Sequence, residues 1–219
     1  MTKISLGIHI PEHWRRLKRL LFYLLYKKSI FTTYSIIHYT TSMIVILHNI
    51  RSTHNVGSIF RTADAVGVQK IYLCGITPDP TDLLGRPRTD IIKASLGAEK
   101  TIPWEHVGHS LRPQATLALI AKLKKQGYTI LSLEQHKKSI SLFSYKKSPK
   151  QKIALVVGNE VDGIPQSILS HSDAIVEIPM HGTKESLNVS VACGIAGYHL
   201  MNKNKGSKKK RIVTQESEN

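Results

Sequence analysis

The chain has 219 residues, and an apolar content of 41% is enough for one well-packed domain with short appendages. Its formal net charge of +16 favours a polyanionic partner, either nucleic acid or an anionic membrane surface. The alternative interpretation is that the positive charge only keeps the protein soluble. No apolar run is long enough to cross a membrane, and the two cysteines, Cys74 and Cys193, lack metal-ligand spacing. We therefore expect buried free thiols and a reducing, cytoplasmic location.

Residues 1–42 differ from the rest of the chain. Within them, residues 14–28 combine a basic start, a short apolar patch and two closing lysines, as at the front of a signal peptide, but no small-residue cleavage site follows. This basic N-terminal extension is interpreted either as an amphipathic helix that touches RNA or lipid, or as an appendage outside the fold. A third interpretation is that translation begins at Met43, immediately before the first clear strand.

From residue 43 to residue 201, predicted strands and helices alternate in one domain. Strands are predicted at residues 44–47, 70–73, 129–133, 153–157 and 174–178. A helix is predicted from an N-cap at Asn55 to about residue 65, and others at residues 89–96, 113–126 and 188–201. Pro165 suits the first turn of a further short helix, and residues 77–88 predict a loop. The pattern predicts an α/β fold, mainly a parallel sheet with helices on both faces, followed by a basic, disordered tail at residues 202–219.

Three short segments place polar residues beside the ends of predicted strands or helices: residues 48–67, 154–164 and 178–192. In open parallel sheets, ligands bind outside the carboxyl ends of the strands. In the first segment Asn55, Ser58 and Arg61 share a helix face, which is either a phosphate site or a capped helix with a solvated arginine. In the second segment Gly158 either lets a ligand approach the backbone closely or belongs to an ordinary polar turn.

Several common site types are not supported by these segments. Ser186 lacks a Ser-His-Asp pattern, and either Ser186 or Asn188 could simply be an N-cap. Gly158 belongs to neither a dinucleotide-binding fingerprint nor a P-loop. Four histidines stand near these segments without metal-ligand spacing, so no metal site is expected: His48, His54, His171 and His181.

The three segments resemble the signature motifs of the SpoU/TrmH family of RNA ribose 2′-O-methyltransferases, within the SPOUT class. The first motif, N-x-R-x-x-x-N-V-G-x-x-x-R-x-A-x-A-x-G, begins at Asn49. The second, V-x-G-N-E-x-x-G-I, begins at Val156, and the third, I-P-M-x-G-x-x-x-S-L-N-V-S-V-A, begins at Ile178. The resemblance spans residues 43–201, whereas residues 1–42 are shorter than the ribosomal-protein-type RNA-binding domain that often precedes this domain in the family.

The resemblance implies a carboxyl-terminal deep trefoil knot, S-adenosyl-L-methionine held in that knot, and a homodimer that completes the site across its interface. By motif position, the implied cofactor-binding residues are Gly158, Ile178 and Leu187, with Met180 and Leu133 as neighbours. The implied catalytic residues are Arg61, Asn55, Glu160, Ser186 and Asn188.

By this resemblance, Arg61 corresponds to the residue that is proposed in the family to remove the proton of the 2′-hydroxyl with the help of an RNA phosphate. A guanidinium rarely loses its own proton, so holding an RNA phosphate and stabilising the developing oxyanion is the more conservative role. Glu160 and Asn188 are expected to orient Arg61 and the ribose by hydrogen bonds.

The leading hypothesis is methyl transfer from S-adenosyl-L-methionine to a ribose 2′-hydroxyl of tRNA or rRNA. Two alternatives remain: a knotted methyltransferase that acts on an RNA base, and a non-catalytic RNA-binding or ribosome-assembly factor. RNA contacts are expected from basic residues in five places: Arg86, Arg88 and residues 122–125, 137–138 and 208–211.

Overall fold

The computed structural model describes residues 42–148 and 150–201, and across these ranges seven strands form one parallel sheet in the order β3-β2-β1-β6-β4-β7-β5. The strands are β1 Ser42–His48, β2 Lys70–Cys74, β3 Trp104–Val107, β4 Tyr128–Leu133, β5 Ile140–Ser141, β6 Lys152–Val157 and β7 Ala174–Glu177. The helices are α1 Thr53–Val66, α2 Thr89–Ser95, α3 Ala98–Thr101, α4 Gln114–Lys125, α5 Gln166–Leu169 and α6 Val189–Met201, and a 3₁₀ turn covers Leu142–Ser144.

The central strands are apolar on both faces because each face of the sheet has its own core. In β1, Met43, Val45 and Leu47 belong to one core cluster, whereas Ile44 and Ile46 belong to the other. Successive side chains of a strand point to opposite faces, so this division follows from the strand period of two. Strands of this kind are typical of parallel sheets covered on both sides.

Different helices pack on the two faces of the sheet. On one face α1 contributes Ile59 and Phe60 and α6 contributes Ala196 and Leu200 to the core. On the other face the buried residues of α4 and α5 pack on the sheet, among them Ile120 of α4. The predicted sheet with helices on both faces is confirmed, and so are the buried free thiols of both cysteines.

The prediction missed three short elements at the margin of the sheet: β3, β5 and α3. β3 has no fully buried residue and β5 has only two residues, so neither produces the continuous apolar run that identified the inner strands. α3 is a single turn of four residues, which is too short for a helical period to be visible.

Two predicted helix starts were wrong by a few residues. Ser52, not Asn55, is the N-cap of α1, and its hydroxyl accepts a hydrogen bond from the Asn55 N–H at 3.2 Å. Pro165 is the cap residue that precedes α5, with an extended ψ of 143°, and does not lie in its first turn. Asn55 is therefore inside the helix, and its side chain is available for contacts with other segments.

Three sequence expectations fall mainly outside the described residues. The basic extension at residues 1–42 overlaps the described range only at Ser42, which begins β1. The tail at residues 202–219 and its basic run at 208–211 also lie outside that range. Among the helices of the described residues, none is long and apolar enough to cross a membrane.

Candidate active site

A cavity of about 480 Å³ lies at the carboxyl ends of β4, β6 and β7. Parallel strands bring their carboxyl ends to one edge, where loops can converge on a ligand. The walls come from residues 133–135 after β4, residues 157–163 after β6, residues 177–180 around the end of β7, and residues 186–192 at the start of α6. Two of the three predicted motif segments therefore form most of this cavity.

The loop after β6 is folded tightly on itself. Asn159 and Gly163 exchange backbone hydrogen bonds, with N···O distances of 3.2 and 3.0 Å. A Cβ atom on Gly158 would lie 2.5 Å from the Gly163 carbonyl oxygen, so the close approach that requires this glycine is made by the chain's own backbone. Gly158 thus belongs to a tight polar turn, and its backbone also lines the cavity.

The buried side chain of Asn159 fixes this loop to the segment after β1. Its amide donates to the Asn49 carbonyl oxygen at 2.8 Å, and its oxygen accepts from the N–H groups of Val161 and Asp162 at 2.8 and 3.0 Å. Asn49 itself has a left-handed φ of 58°, a conformation that asparagine tolerates better than most residues. The first and second motif segments are therefore joined by hydrogen bonds of a buried amide.

Glu160 makes the second link between these segments. Its carboxylate accepts hydrogen bonds from the Arg51 N–H at 3.0 Å, the Ser52 N–H at 3.1 Å and the Asn55 side-chain amide at 2.9 Å. Burial would raise the pKa of Glu160, but these three hydrogen bonds act in the opposite direction and hold the pKa below its usual range. Glu160 is thus an ionised acceptor at neutral pH, and its carboxylate lies at the amino end of α1, where negative charge is favourable.

Asn188 connects the third motif segment to the same cluster. Its amide donates to Asn55 Oδ1 at 3.0 Å, and its oxygen accepts from the N–H and hydroxyl of Ser190 at 2.9 and 2.6 Å. Of the two N-cap alternatives, the hydrogen bond from the Ser190 N–H identifies Asn188 as the residue that caps α6. Asn55 thus lies between Glu160 and Asn188, with both ends of its side-chain amide engaged.

The exposed Arg61 lies two turns further along α1. Among residues 42–148 and 150–201 it has no hydrogen-bond or ion-pair partner, so neither Glu160 nor Asn188 orients it in this structure. Ser186 is exposed and lacks a hydrogen bond within the same ranges. The structure therefore assembles Asn55, Glu160 and Asn188 but leaves Arg61 and Ser186 open to solvent.

All five predicted cofactor-binding residues line the cavity: Leu133, Gly158, Ile178, Met180 and Leu187. The charge of the walls was not anticipated from the sequence. Among the residues that the structure describes, no lysine or arginine lines the cavity, whereas four acidic residues do: Glu134, Glu160, Asp162 and Glu177. In a chain with a net charge of +16, this cavity is a local acidic site that favours a cation and disfavours a phosphate.

Glu134 is a site residue that sequence reasoning missed. Its carboxylate accepts from the Ile164 N–H at 2.8 Å and from the Gln135 N–H at 3.0 Å. A Cβ atom on Gly163, whose φ is 64°, would lie 2.5 Å from one oxygen of this carboxylate. The one available signal was the position of Glu134 directly after β4, which matches that of Asn159 and Glu160 shortly after β6.

His48 is a buried structural residue. The Asn49 amide donates to its Nε2 (3.1 Å), since the Asn49 oxygen already accepts from the Ile76 N–H. Nδ1 therefore carries the proton and donates to Thr116 Oγ1 at 2.9 Å. Burial lowers the pKa of His48 to about 4, so the ring is neutral at pH 7.

Several of the predicted RNA-contacting residues already have partners on the protein. Arg86 pairs with Asp82 at 2.7 Å, and Lys124 pairs with Asp173 at 2.7 Å. Both pairs are at least partly exposed, so solvent weakens them and an incoming phosphate can compete.

Comparison with known proteins decides the family. The model of the SpoU rRNA Methylase family matches residues 42–198. The chain belongs to the SpoU family.

Curated relatives of this SpoU protein are RNA-modifying enzymes. The 23S rRNA (guanosine-2′-O-)-methyltransferase RlmB of Neisseria meningitidis is 33% identical over 153 residues, which cover 70% of this chain and 55% of that protein. A tRNA (guanosine(18)-2′-O)-methyltransferase of Aquifex aeolicus is 31% identical over 158 residues, which cover 71% of this chain and 67% of that protein. The chain thus spans little more than half the length of RlmB.

Solved structures show the same fold. The AdoMet-bound rRNA methyltransferase from Sinorhizobium meliloti superimposes with a TM-score of 0.63 and 28% identity, covering 73% of this chain and 55% of that one. The SpoU signature is therefore present in three dimensions as three chain segments that meet around Asn55.

Proposed function

We propose that this chain is an S-adenosyl-L-methionine-dependent methyltransferase that acts on a ribose 2′-hydroxyl of tRNA or rRNA. The observation that carries the proposal is the acidic cavity in a strongly basic chain, built from the two SpoU motif segments that follow β6 and β7. The named relatives modify 23S rRNA and tRNA at guanosine 2′-oxygens, which supports an RNA substrate of either kind.

The cavity fits S-adenosyl-L-methionine in size and chemistry. About 480 Å³ lies within the range typical of small-molecule sites. Leu133, Ile178 and Leu187 offer apolar contacts for a nucleoside, and the acidic walls complement a positively charged sulfonium. When bound there, this cofactor supplies the methyl group from its sulfonium sulfur. We propose that Gly158 and Met180 complete the cofactor contacts, with Gly158 contributing through its backbone.

Arg61 is proposed to act on the RNA. A ribose hydroxyl is weakly acidic, so its attack requires a base or a strongly stabilised oxyanion. The exposed guanidinium of Arg61 has free donors for a backbone phosphate and for the developing negative charge on the 2′-oxygen. It keeps its own proton throughout, as guanidinium groups do, and the proton of the 2′-hydroxyl passes to solvent.

Asn55, Glu160 and Asn188 are proposed as positioning residues, and Ser186 as a free hydroxyl near the reacting ribose. Glu160 holds Asn55, and Asn55 holds Asn188 at the start of α6. This arrangement fixes the start of α1 against the loops of the cavity. Arg61 lies further along the same helix and is positioned with it. Preorganised donors of this kind contribute to catalysis because they need no reorganisation during the reaction.

A homodimer and a carboxyl-terminal trefoil knot complete the proposal. α6 is mostly apolar on its exposed side as well as its buried side: Cys193 and Ala196 are buried in the core, whereas Val191 and Tyr198 are exposed. An apolar helix face left in solvent is typical of a subunit interface. Tyr198→Glu is expected to reduce the mass measured by light scattering from that of a dimer to that of one chain. A cytoplasmic location is also proposed, and the two free thiols support a reducing compartment.

The test of the function is methyl transfer from isotopically labelled S-adenosyl-L-methionine to separate pools of tRNA and rRNA, followed by digestion to nucleosides and mass spectrometry. We expect labelled 2′-O-methyl nucleoside, reduced at least about 100-fold in Arg61→Ala, a loss typical of a removed oxyanion donor. Arg112→Ala, at another exposed arginine, is the matched control and should match the wild type. Label on a base would replace the proposal with base methylation, and cofactor binding without label in either pool would favour a binding role.

A further inference from the structure

A compact hairpin connects β2 to α2, and we refer to residues 80–88 as the 80–88 hairpin. Its two arms are joined by a hydrogen bond from the Asp82 N–H to the Arg86 carbonyl oxygen at 2.8 Å and by an antiparallel bridge between Thr81 and Pro87. The Asp82 carboxylate fills the turn, where it accepts from the N–H groups of Leu84 and Arg86, both at 2.9 Å. The hairpin is therefore a built structure, closed by its own side chain.

The tip of this hairpin presents two adjacent leucines to solvent. Leu83 has a relative exposure of 100% and Leu84 one of 76%. Because the turn beneath them is already ordered, a ligand that buries them does not need to order the loop first. A rigid apolar tip of this kind is suited to insertion between, or packing against, flat apolar groups.

The charges around the tip favour an anionic ligand. The carboxylate of Asp79 is paired with His106, and that of Asp82 with Arg86. Arg88, at the end of the hairpin, is half-buried with its Nε–H enclosed, whereas the Arg86 side chain is 72% exposed. Within the hairpin, the single acid Asp82 is thus offset by two arginines, and Arg86 presents its guanidinium to solvent near the exposed leucines.

The base of the hairpin is attached to the candidate active site. The Thr77 hydroxyl accepts from the Ile50 N–H at 3.1 Å, and the next residue, Arg51, donates its N–H to Glu160. After the hairpin, α2 packs closely on α1, where a Cβ atom on Gly57 would lie 2.5 Å from the Ile91 carbonyl oxygen. The hairpin is therefore flanked by Thr77, which is bonded to the first motif segment, and by α2, which packs on α1.

We propose that the 80–88 hairpin is a substrate-recognition element that packs Leu83 and Leu84 against unstacked bases of the RNA, while Arg86 and Arg88 contact the flanking phosphates. Apolar side chains inserted beside bases, with arginines on the backbone, are an established way of holding a distorted nucleic acid. The inference rests on the proposed function, because it places the hairpin on the RNA that the active site would modify.

The kinetic test compares Leu83→Ala and Leu84→Ala with Leu96→Ala, a leucine of 67% exposure beyond the other end of α2. Each hairpin variant is expected to raise the KM for the modified RNA pool about tenfold, consistent with losing the burial of most of a leucine side chain. The kcat at saturating RNA should stay within about twofold of the wild type, since the hairpin binds and does not react. An unchanged KM in both hairpin variants, with active wild-type enzyme, would overturn the inference and leave the proposed function intact.

A second measurement does not depend on turnover. Both native cysteines are buried, which raises the pKa of each thiol to about 12, so a maleimide-benzophenone label reacts selectively at Leu83→Cys or at the control Leu96→Cys. Irradiation with the tRNA and rRNA pools should cross-link RNA from position 83 at least about tenfold more than from position 96. Cross-links from position 83 to a second copy of the chain, or equal RNA yields from both positions, would refute the inference. If the wild type methylates neither pool, the proposed function fails, while these yields still decide the role of the hairpin.

Discussion

Replacing Glu160 with glutamine tests whether its carboxylate holds the motif segments together. The carboxylate accepts three hydrogen bonds, whereas a glutamine oxygen can serve two donors and its amide would then face the third N–H group. Hydrogen bonds to a charged group contribute about 1.5–3 kcal/mol, and an unsatisfied buried partner costs a similar amount. Because Glu160 is partly exposed, water and screening reduce this, and we expect Glu160→Gln to lose about 1–2 kcal/mol of unfolding free energy.

The assay is urea unfolding at pH 7, with thermal unfolding as a second probe. In a domain of this size, each kcal/mol lowers the Tm by about 2–4 °C. Glu185→Gln is the matched control, because the Glu185 carboxylate has no hydrogen bond among residues 42–148 and 150–201. Equal stability of Glu160→Gln and the wild type would show that the carboxylate is replaceable and would refute the reasoning.

The pH dependence of the same comparison gives an independent check. The pKa of Glu160 is lower in the folded state than the ordinary value of about 4.3. Its stabilisation is therefore complete above that value and is lost as the pH falls through the folded pKa. The stability gap between wild type and Glu160→Gln should be constant from pH 8 to about pH 5.5 and narrow below about pH 4.3. A gap that persists undiminished at about pH 3.5 would contradict the assigned role of the charge.

Three further predictions follow from other parts of the chain. Burial lowers the pKa of His48 from 6.5 to about 4, so its neutral form stabilises the fold fully above about pH 6.5. Between pH 7 and pH 4, the unfolding free energy of the wild type, measured by urea titration, should therefore fall by up to about 3 kcal/mol more than that of His48→Asn. Gly163→Ala should lower the unfolding free energy by about 1–3 kcal/mol, because φ is 64° and the added Cβ meets the Glu134 carboxylate, and an unchanged urea midpoint would contradict this. Removing residues 203–219 should weaken RNA affinity without abolishing catalysis, since six basic residues are lost, and filter binding at physiological salt that gives equal affinities would reject it.

The positions of the inner strands and of the longer helices along the chain could be predicted from the sequence because each has a clear period or an uninterrupted apolar run, whereas the order of the strands in the sheet was not predicted. The helix start at Asn55 was wrong by three residues, because the hydroxyl of Ser52, which was not predicted as a cap, accepts the hydrogen bond from the Asn55 N–H. The side chain of Asn55 contacts Glu160 and Asn188 instead. These partners are 105 and 133 positions away along the chain, far beyond any helical or strand spacing.

The five predicted cofactor-binding residues all line the cavity, but Glu134 was missed and the arrangement of the site could not be predicted. Family motifs identify Glu160 and Arg61 as site residues, yet their spacing does not reveal that Glu160 bonds the backbone of Arg51 and Ser52 and leaves Arg61 free. The glycines illustrate the same limit. Gly57 and Gly158 stand in motifs, but the atoms that a side chain at each position would meet belong to α2 and to the loop after β6, which only the folded chain brings near.

The sheet order has a consequence for how this protein is made. β6 pairs with β1 on one side and β4 on the other, although both of these strands precede it in the chain. While the ribosome is still adding residues before Lys152, β1 and β4 each have an edge of unpaired backbone N–H and C=O groups, because their final neighbour β6 is not yet made. Such open edges are prone to wrong pairing, and long-range parallel pairing is slow. We therefore expect the sheet of the nascent chain to assemble late, after β6 has joined β1 to β4 and β7 has joined β4 to β5.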